Sequence, residues 1–435
     1  MKLHPQKNPT DPHSSKFQIF VWTLFDFANT SYSIVVVTFL FAVYFKKEIA
    51  GGKPIGDLYW SFATGISMLI TAIISPVLGA ISDYSAGKKR FLLFFTAICI
   101  ISTAMLYFLE PGMIFTSILL FTLANVGFES GLVFYDSFLP EITTPKNYGR
   151  VSGYGFAMGY LGSLASLLLA FPFIQSNQIK ETFPLSAVFF LVFALPLFLF
   201  IKDKDKKEVP NYNYFKIGFS RVLDTIKHLK NYKNLSLFLL SFFFYIEGVN
   251  TIIYFSGNYA STTLHFELIE LIIFFIIVQT TAIFGSLLFG ILADSLGQRK
   301  TLMISLYIWI FTIILAYLTS SENAYIIKLL VYYLNLPALT IEKYAFYLVG
   351  LLAGSVMGAT QSTSRSFLSK LIPIERKTEF FGFFSFFGKS SAILGPIVFG
   401  LVSFLSNEQR FSILSIGFFF IIGLCILFYV KEDTN

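Results

Sequence analysis

Charged side chains stand inside long apolar stretches of this sequence, among Phe, Leu and Ile residues. A charge near the centre of a lipid bilayer costs about 2.5–3.5 kcal/mol on insertion scales, so a charge kept there is a functional candidate by default. Such groups can pair with each other, exchange a proton or bind an ion of opposite charge. The six residues of this kind are Asp26, Glu129, Asp136, Glu247, Arg365 and Lys389.

Two of these residues begin matching polar stripes. Asp26 and Asn29 are three residues apart, and Glu247 and Asn250 repeat that spacing, so each pair lies on one face of a helix. Each stripe is a candidate lining for a polar cavity. Their further members are Tyr32, Ser33, Thr251 and Tyr254.

Glu247 has two interpretations. A carboxyl group whose pKa is balanced between burial and a nearby cation can exchange a proton, and its carboxylate can bind an amine. Alternatively, Glu247 forms an ion pair with Lys389 that holds two parts of the chain together. Lys389 likewise either attracts a carboxylate ligand or is a structural partner. The sequence Gly388-Lys389-Ser390-Ser391 does not fit a phosphate-binding loop, since the glycine spacing is one residue too long and no strand precedes it.

A third polar face includes Asn125, Glu129 and Asp136, which are spaced i, i+4 and i+11. We expect Asn125 and Glu129 to reach the cavity, with Gln361 as a further candidate. Asp136 and Arg365 occupy corresponding ends of two apolar stretches, and charge pairs in such places are typical of a gate. The sequence therefore predicts a polar centre and a charged gate.

Helices that cross a membrane must position these residues. Hydrophobic residues make up 55% of the 435-residue chain and charged residues only 13%, so lipid must solvate much of it. Continuous apolar runs without in/out alternation favour helices over a barrel, and the fold class is all-α. The twelve predicted spans are 18–44, 58–81, 91–109, 113–139, 149–174, 183–201, 235–258, 268–293, 301–319, 344–369, 379–405 and 409–430.

The distribution of Lys and Arg predicts the orientation. Most of the 32 basic residues fall on one side when both termini are placed in the cytoplasm, as the positive-inside rule requires. The net charge of +7 reflects this bias and indicates no nucleic-acid partner. The first span is too long for a signal peptide and is expected to be retained. Cys99 and Cys425 are expected to be buried packing residues.

The chain also repeats itself. A polar segment separates six spans from six, and Gly79 with Asp83 is echoed by Gly290 with Asp294 at the ends of the second and eighth spans. Four such matches in order indicate a duplicated six-helix unit whose copies insert in the same orientation. The predicted segments are a leader (1–17), an N-terminal bundle (18–201), a linker (202–234), a C-terminal bundle (235–430) and a tail (431–435).

Charged residues at the predicted cytoplasmic ends of the spans form a second group of candidates. Asp83 and Asp294 lie at the rim among basic neighbours, which is typical of gating and not of ligand binding. The gating candidates are Asp83, Arg90, Asp136, Arg150, Asp294, Arg299, Lys300 and Arg365.

The Gly290-to-Asp294 turn with Gly297, Arg299 and Lys300 resembles the cytoplasmic signature of the major facilitator superfamily. Within it, the chain is similar to the vacuole-effluxer-like branch. The similar stretches are WTLFDFANTSYS (22–33), YDSFLPEI (135–142), RVSGYGFAMGYLGS (150–163), YIEGVNTIIY (245–254) and SRSFLSKLIPIERKTEFFGFFSFFGKSSAILGPIVFG (364–400).

The resemblance implies two six-helix bundles around a central cavity lined by the first and seventh helices, so the two polar stripes are expected to face each other across it. Fungal members of the branch export amino acids from vacuoles. Phe27 stands where the resemblance implies Trp, and Asp136 stands where it implies Asn, which adds an acidic group.

These observations predict a secondary transporter in the cell membrane that moves a small polar organic solute, such as an amino acid, and that can be proton-coupled. No cofactor, metal or catalytic residue is expected, and the chain is expected to be monomeric with solute and lipid as partners. Two alternatives remain open. A non-transporting sensor would have no need of polar stripes, and a membrane enzyme would need clustered His or Asp ligands at a membrane face, which the sequence lacks.

Overall fold

The computed structural model describes residues 15–85, 87–203, 214–227, 229–319, 324–391, 394–406 and 408–432. Within these ranges the chain is helical and contains no β-strand. Twelve helical segments among the described residues are long and apolar enough to cross a membrane. The predicted all-α fold with twelve spans is therefore confirmed.

Six spanning helices precede the linker. The first, α1, continues beyond Tyr32 through a π-helix at Ser33–Phe39, a short α-helix at Leu40–Tyr44 and a second π-helix at Phe45–Ile49. Single π-turns are often found at functional sites in helices. The six helices are α1 (Lys16–Tyr32), α2 (Ile55–Ser85), α3 (Lys88–Met105), α4 (Ile114–Asp136), α5 (Tyr148–Gln175) and α6 (Thr182–Phe200).

A helix within the linker, α7 (Tyr214–Lys227), leads to the second set. Its spanning helices correspond to predicted spans seven to twelve, and α11 is a short helix between two of them. The set comprises α8 (Lys233–Thr262), α9 (Leu268–Leu296), α10 (Gln298–Leu318), α11 (Tyr325–Leu334), α12 (Ala338–Leu371), α13 (Lys377–Ser391), α14 (Leu394–Ser406) and α15 (Gln409–Leu427).

The eleventh span is described in two pieces, α13 and α14, because residues 392 and 393 lie outside the described residues. The candidate span that contains both pieces runs from Ile374 to Ser406 and covers the predicted 379–405.

Each half has its own apolar core. One cluster of buried side chains draws its members from residues 21–201, including Trp22 and Phe121. A second lies almost wholly within 235–430, including Trp309 and Phe420. Each half therefore packs around apolar side chains of its own.

Small residues let the halves approach closely. Gly153 on α5 faces α9, where an added Cβ would lie 3.3 Å from the Gly290 Cα. Gly382 on α13 faces α2, where an added Cβ would lie 2.6 Å from the Pro76 Cα. Close backbone approach at small residues is the usual way in which membrane helices associate.

The segment boundaries given above remain predictions, and most of the predicted leader (1–14), part of the linker (204–213) and the last tail residues (433–435) lie outside the described residues.

Candidate functional site

Several helix ends from both halves meet at the end of the bundle where α1 begins. There α4 ends at Asp136 and α5 begins at Tyr148, while α12 ends at Leu371 and α13 begins at Lys377. Charged and polar side chains connect the two halves at this end. We call it the closed end.

Arg365 on α12 is the centre of the closed end, with 2% of its side chain exposed. Its Nη1 lies 2.9 Å from Asp136 Oδ1 and 3.2 Å from Asp26 Oδ2. Its Nε donates to the Ser152 hydroxyl at 3.0 Å, and its Nη2 donates to the Ser152 carbonyl at 2.9 Å. All three partners belong to the other half, so one buried cation binds the two halves together.

Aromatic rings and a glycine enclose this guanidinium. Its carbon lies 4.7 Å from the Trp22 ring and 4.3 Å from the Phe156 ring, distances at which a cation is attracted to the ring face. A Cβ added at Gly155 would lie 2.5 Å from Arg365 Nη2. Only glycine leaves room for the cation at that position.

Asp26 lies within this assembly. The Tyr135 hydroxyl lies 2.7 Å from Asp26 Oδ2, and Trp22 Nε1 donates to the Tyr135 carbonyl at 3.2 Å. The expectation that Asp26 faces Glu247 across a cavity is therefore wrong, because its carboxylate is turned to Arg365. We define the Arg365 cluster as Asp26, Tyr135, Asp136, Ser152 and Arg365.

Two aspartates cap helices of the opposite half in a repeated arrangement. Asp294 on α9 accepts hydrogen bonds from the backbone N–H groups of Gly149 at 2.7 Å and Arg150 at 3.0 Å, in the first turn of α5. Asp83 on α2 accepts a bond from the N–H of Glu379 at 2.8 Å, in the first turn of α13. A carboxylate is favourable there because a helix N-terminus carries a partial positive charge.

A third connection at the closed end involves Glu141. Lys88 lies 2.7 Å from its carboxylate within the same half, and Lys377 of the other half pairs with the same oxygen. All three side chains are largely buried. The closed end therefore has several independent charged contacts between the halves.

Farther along the bundle, an ion pair joins α4 to α13. Lys389 Nζ lies 2.5 Å from Glu129 Oε2, with 7% of the glutamate side chain and 25% of the lysine side chain exposed. The alternative prediction of a Glu247–Lys389 ion pair is therefore wrong. Spacing along a helix gives a residue's face but not which helix of the other half that face meets.

Glu247 on α8 is fully buried and lies against the eleventh span. Its carboxylate accepts a hydrogen bond from the backbone N–H of Gly395. A Cβ at Gly395 would collide with both Glu247 and Thr251. Glycine at this position therefore lets the eleventh span approach the glutamate closely.

Buried polar residues of the first half form a hydrogen-bond network. The Tyr32 hydroxyl lies 3.4 Å from Asn125 Oδ1, and the Asn125 amide donates to the Ser67 hydroxyl at 2.8 Å. Asn29 is also buried. These side chains are oriented by each other and face the interior of the half.

The remaining candidates are dispersed. The Tyr160 hydroxyl donates to Gln361 Oε1 at 2.9 Å across the halves. Asn250 is half-buried, whereas Tyr254 is 66% exposed. Arg299 donates to the carbonyls that follow α15, at 2.6 Å for Phe428, and so acts within its own half. Arg90 and Lys300 are exposed.

Sequence reasoning missed several residues of the site. Ser152 and Gly155 contact Arg365, yet they stand among small residues that resemble ordinary helix packing. Glu141 and Lys377 lie just outside the predicted spans, where charges are common. Gly395 contacts Glu247, yet it stands in an apolar run and has no polar side chain that would indicate the contact.

Comparison with known proteins gives consistent results. Residues 58–435 match a family described as Vacuole effluxer Atg22 like. The chain is 32% identical over 434 residues to an uncharacterized MFS-type transporter of Bacillus subtilis, YxiO, covering 95% of each chain. It is 23% identical over 365 residues to Autophagy-related protein 22 of Kluyveromyces lactis, covering 78% of this chain and 72% of that protein. Among solved structures, the proton:xylose symporter XylE superposes with a TM-score of 0.70 at 13% identity, covering 96% of each chain.

Proposed function

The chain belongs to the Vacuole effluxer Atg22 like family of MFS-type transporters, and on that premise we propose that it carries a small polar organic solute by alternating access. An amino acid is the first substrate class to test. The proposed direction is export across the cell membrane, with both termini in the cytoplasm and a single chain as the transporting unit.

The Glu129–Lys389 ion pair is the observation that carries this proposal. It joins the halves beyond the closed end, and its two charges are 2.5 Å apart in a largely buried setting. An amino acid presents an ammonium and a carboxylate that can replace the two partners, the ammonium at Glu129 and the carboxylate at Lys389. Since a buried charge without a partner is costly, such a ligand would be preferred over one with a single charge.

The Arg365 cluster is the proposed gate. Opening the closed end requires Arg365 to leave Asp26 and Asp136, and their separation would admit solvent to all three. Closing restores pairs that exclude water. This alternation between two charge arrangements lets the site between the halves reach one side of the membrane at a time.

Glu247 is the proposed proton site. Its carboxylate accepts the Gly395 N–H in the state described here, and protonation would weaken that contact because a charged acceptor forms the stronger hydrogen bond. A change of charge at Glu247 would therefore alter the contact between α8 and the eleventh span, which carries Lys389. The symporter XylE, whose fold is similar, is named as proton-coupled.

Two other functions are less well supported. A sensor that keeps the fold without transport would not need a solute to replace the partners of the Glu129–Lys389 pair. Such a sensor would show no solute exchange, which distinguishes it from a transporter. A membrane enzyme is less well supported, because no group of three His, Cys, Asp or Glu residues suited to a metal is found among the described residues.

Counterflow in liposomes tests the proposal without knowledge of direction or driving force. We expect the reconstituted protein to exchange at least one labelled amino acid from a mixed panel, and Lys389→Ala to slow that exchange at least tenfold. Glu247→Gln should keep counterflow but remove the response to an imposed pH gradient.

The matched control is Lys180→Ala. Lys180 pairs with Glu110 at 2.6 Å in a loop region outside the spans, so its loss removes a similar ion pair far from the site. Equal rates for Lys389→Ala and Lys180→Ala would reject the binding site. Exchange of no amino acid would reject the substrate class, and peptides, sugars and organic cations would be tested next.

A further inference from the structure

The linker helix α7 presents an apolar stripe that the protein leaves uncovered. Phe219, Leu223 and Ile226 are 54%, 54% and 47% exposed. Their spacing of i, i+4 and i+7 places them on one face of the helix. An apolar stripe exposed to water is unfavourable, so we expect lipid or a partner to cover it.

The opposite face of α7 is docked on the protein. A Cβ added at Gly218 would lie 2.7 Å from Ile81 Cγ1 and 3.0 Å from the Val77 carbonyl oxygen of α2. The Thr225 hydroxyl hydrogen-bonds to Glu379 of α13, and Arg221 Nε lies 3.6 Å from the same carboxylate. These contacts fix the rotation of α7 and so determine where its stripe points.

The stripe continues the lipid-facing surface of α2. Leu69 and Ile73 on that surface are 59% and 55% exposed. One and two turns farther along, Val77 and Ile81 are buried, and α7 packs against both. The outer face of α7 therefore stands where the apolar belt of α2 would otherwise continue toward the membrane surface.

Basic residues accompany this stripe. The segment 214–233 contains five Lys or Arg residues and a single acidic residue, Asp224. Asp224 lies 3.7 Å from Arg376 of the protein itself. Lys227, Lys230 and Lys233 are exposed at the end of α7 and just beyond it. An apolar stripe beside exposed lysines is the pattern of a helix that lies in the headgroup region of an anionic membrane.

We propose that α7 binds the anionic lipid surface at the closed end of the transporter. Phe219, Leu223 and Ile226 enter the boundary between headgroups and acyl chains, and the exposed lysines contact the anionic headgroups. Because α7 also holds Glu379, whose N–H binds Asp83, lipid bound to α7 favours the closed arrangement of α2 and α13. Anionic lipid thereby regulates the gate without touching the solute site.

Hydrogen exchange of α7 in nanodiscs tests this inference. In the full chain, we expect the amides of 214–227 to exchange at least fivefold more slowly in phosphatidylcholine with phosphatidylglycerol than in phosphatidylcholine alone. The triple variant Phe219→Ser, Leu223→Ser, Ile226→Ser should lose this difference. Substituting Gln for Lys227, Lys230 and Lys233 should reduce it.

The matched control lies on α11 at the opposite end. Tyr325, Leu329 and Tyr332 have the same spacing and are also exposed, so their serine variant should leave exchange of α7 unchanged. The comparison of two lipids on the unaltered protein does not depend on any variant folding.

Equal exchange of α7 in both lipids would overturn the inference, and so would a lipid effect that survives the triple serine change. If that equal exchange is also rapid, lipid does not cover the stripe, and a protein partner becomes the occupant to test. None of these outcomes depends on solute exchange, so the proposed transport function is tested separately.

Discussion

Arg365 is buried with two carboxylates of the other half, and that burial determines its energetic role. Removing one partner of a buried pair costs about 3–5 kcal/mol because the remaining charge has no compensation. Loss of Arg365 would strand both Asp26 and Asp136 in the closed arrangement. Loss of Asp136 alone leaves Arg365 with Asp26, so its cost is smaller.

Charge substitutions in the Arg365 cluster therefore have unequal predicted effects. We expect Arg365→Ala to reduce the counterflow rate at least a hundredfold and Asp136→Asn to reduce it less than tenfold. The exchanged pair Arg365→Asp with Asp136→Arg should recover more activity than Arg365→Asp alone, since it restores opposite charges.

The control for this set is Arg410→Ala, because Arg410 pairs with Glu408 at 2.6 Å in a more exposed position. Thermal unfolding of each variant separates loss of folding from loss of gating. Equal activity of Arg365→Ala and Arg410→Ala would contradict the role given to the cluster.

At this scale the sequence predicted which residues matter better than it predicted their partners. The cost of burial singled out six charged residues inside the spans. Five of them pair across the halves, as Arg365 with Asp26 and Asp136, and Lys389 with Glu129. Helical periodicity carries no information about which faces of two separate bundles meet, so Asp26 and the partner of Lys389 were misplaced.

At the scale of elements, the two halves use one device twice. Asp294 caps α5 and Asp83 caps α13, each across the junction between halves. A helix cap of this type contributes about 1 kcal/mol. Because both caps exist only while the closed end is closed, each should favour that state by a similar amount.

We therefore predict that Asp83→Ala and Asp294→Ala each increase opening of the closed end roughly fivefold, as about 1 kcal/mol implies. Opening can be measured as the labelling rate of a cysteine introduced at the buried Ser366 of α12. Asp57→Ala is the control, since Asp57 forms an exposed pair with Lys46. No increase in either cap variant would contradict the arrangement.

Helix existence was predictable and the contacts between helices were not. Continuous apolar runs specify a membrane helix by length alone, which is why twelve spans were found. The hydrogen bond between Glu247 and the Gly395 N–H joins two residues that are 148 positions apart in the chain. Neither residue type nor helical spacing indicates that the two helices meet there.

At the scale of the whole molecule, the two halves are related in sequence but inverted in charge at the closed end. Asp136 and Arg365 occupy corresponding positions, as do Glu141 and Lys370. The duplicated unit was visible in the sequence because its turns repeat at a nearly constant offset. Asp136 and Arg365 pair across the halves, whereas Lys370 pairs with Glu432 of its own half and Glu141 pairs with Lys377.

The opposite end is joined differently. There Phe39, at the end of the π-helix of α1, meets Phe275 of α9 with ring centroids 5.3 Å apart. An aromatic pair contributes about 0.5–1.5 kcal/mol beyond burial, less than a buried ion pair costs to break. Loss of the Arg365 cluster should therefore favour a state in which the closed end opens. In that state the two halves approach each other at the opposite end.

Paired distance measurements test alternating access most directly. Cys99 and Cys425 would first be replaced by alanine. One pair of spin labels would then replace Lys146 and Ile374 at the closed end, and a second pair would replace Lys53 and His265 at the opposite end. Relative to the parent protein, Arg365→Ala should lengthen the first distance and shorten the second. A lengthened first distance with an unchanged second, or no change in either, would contradict the account.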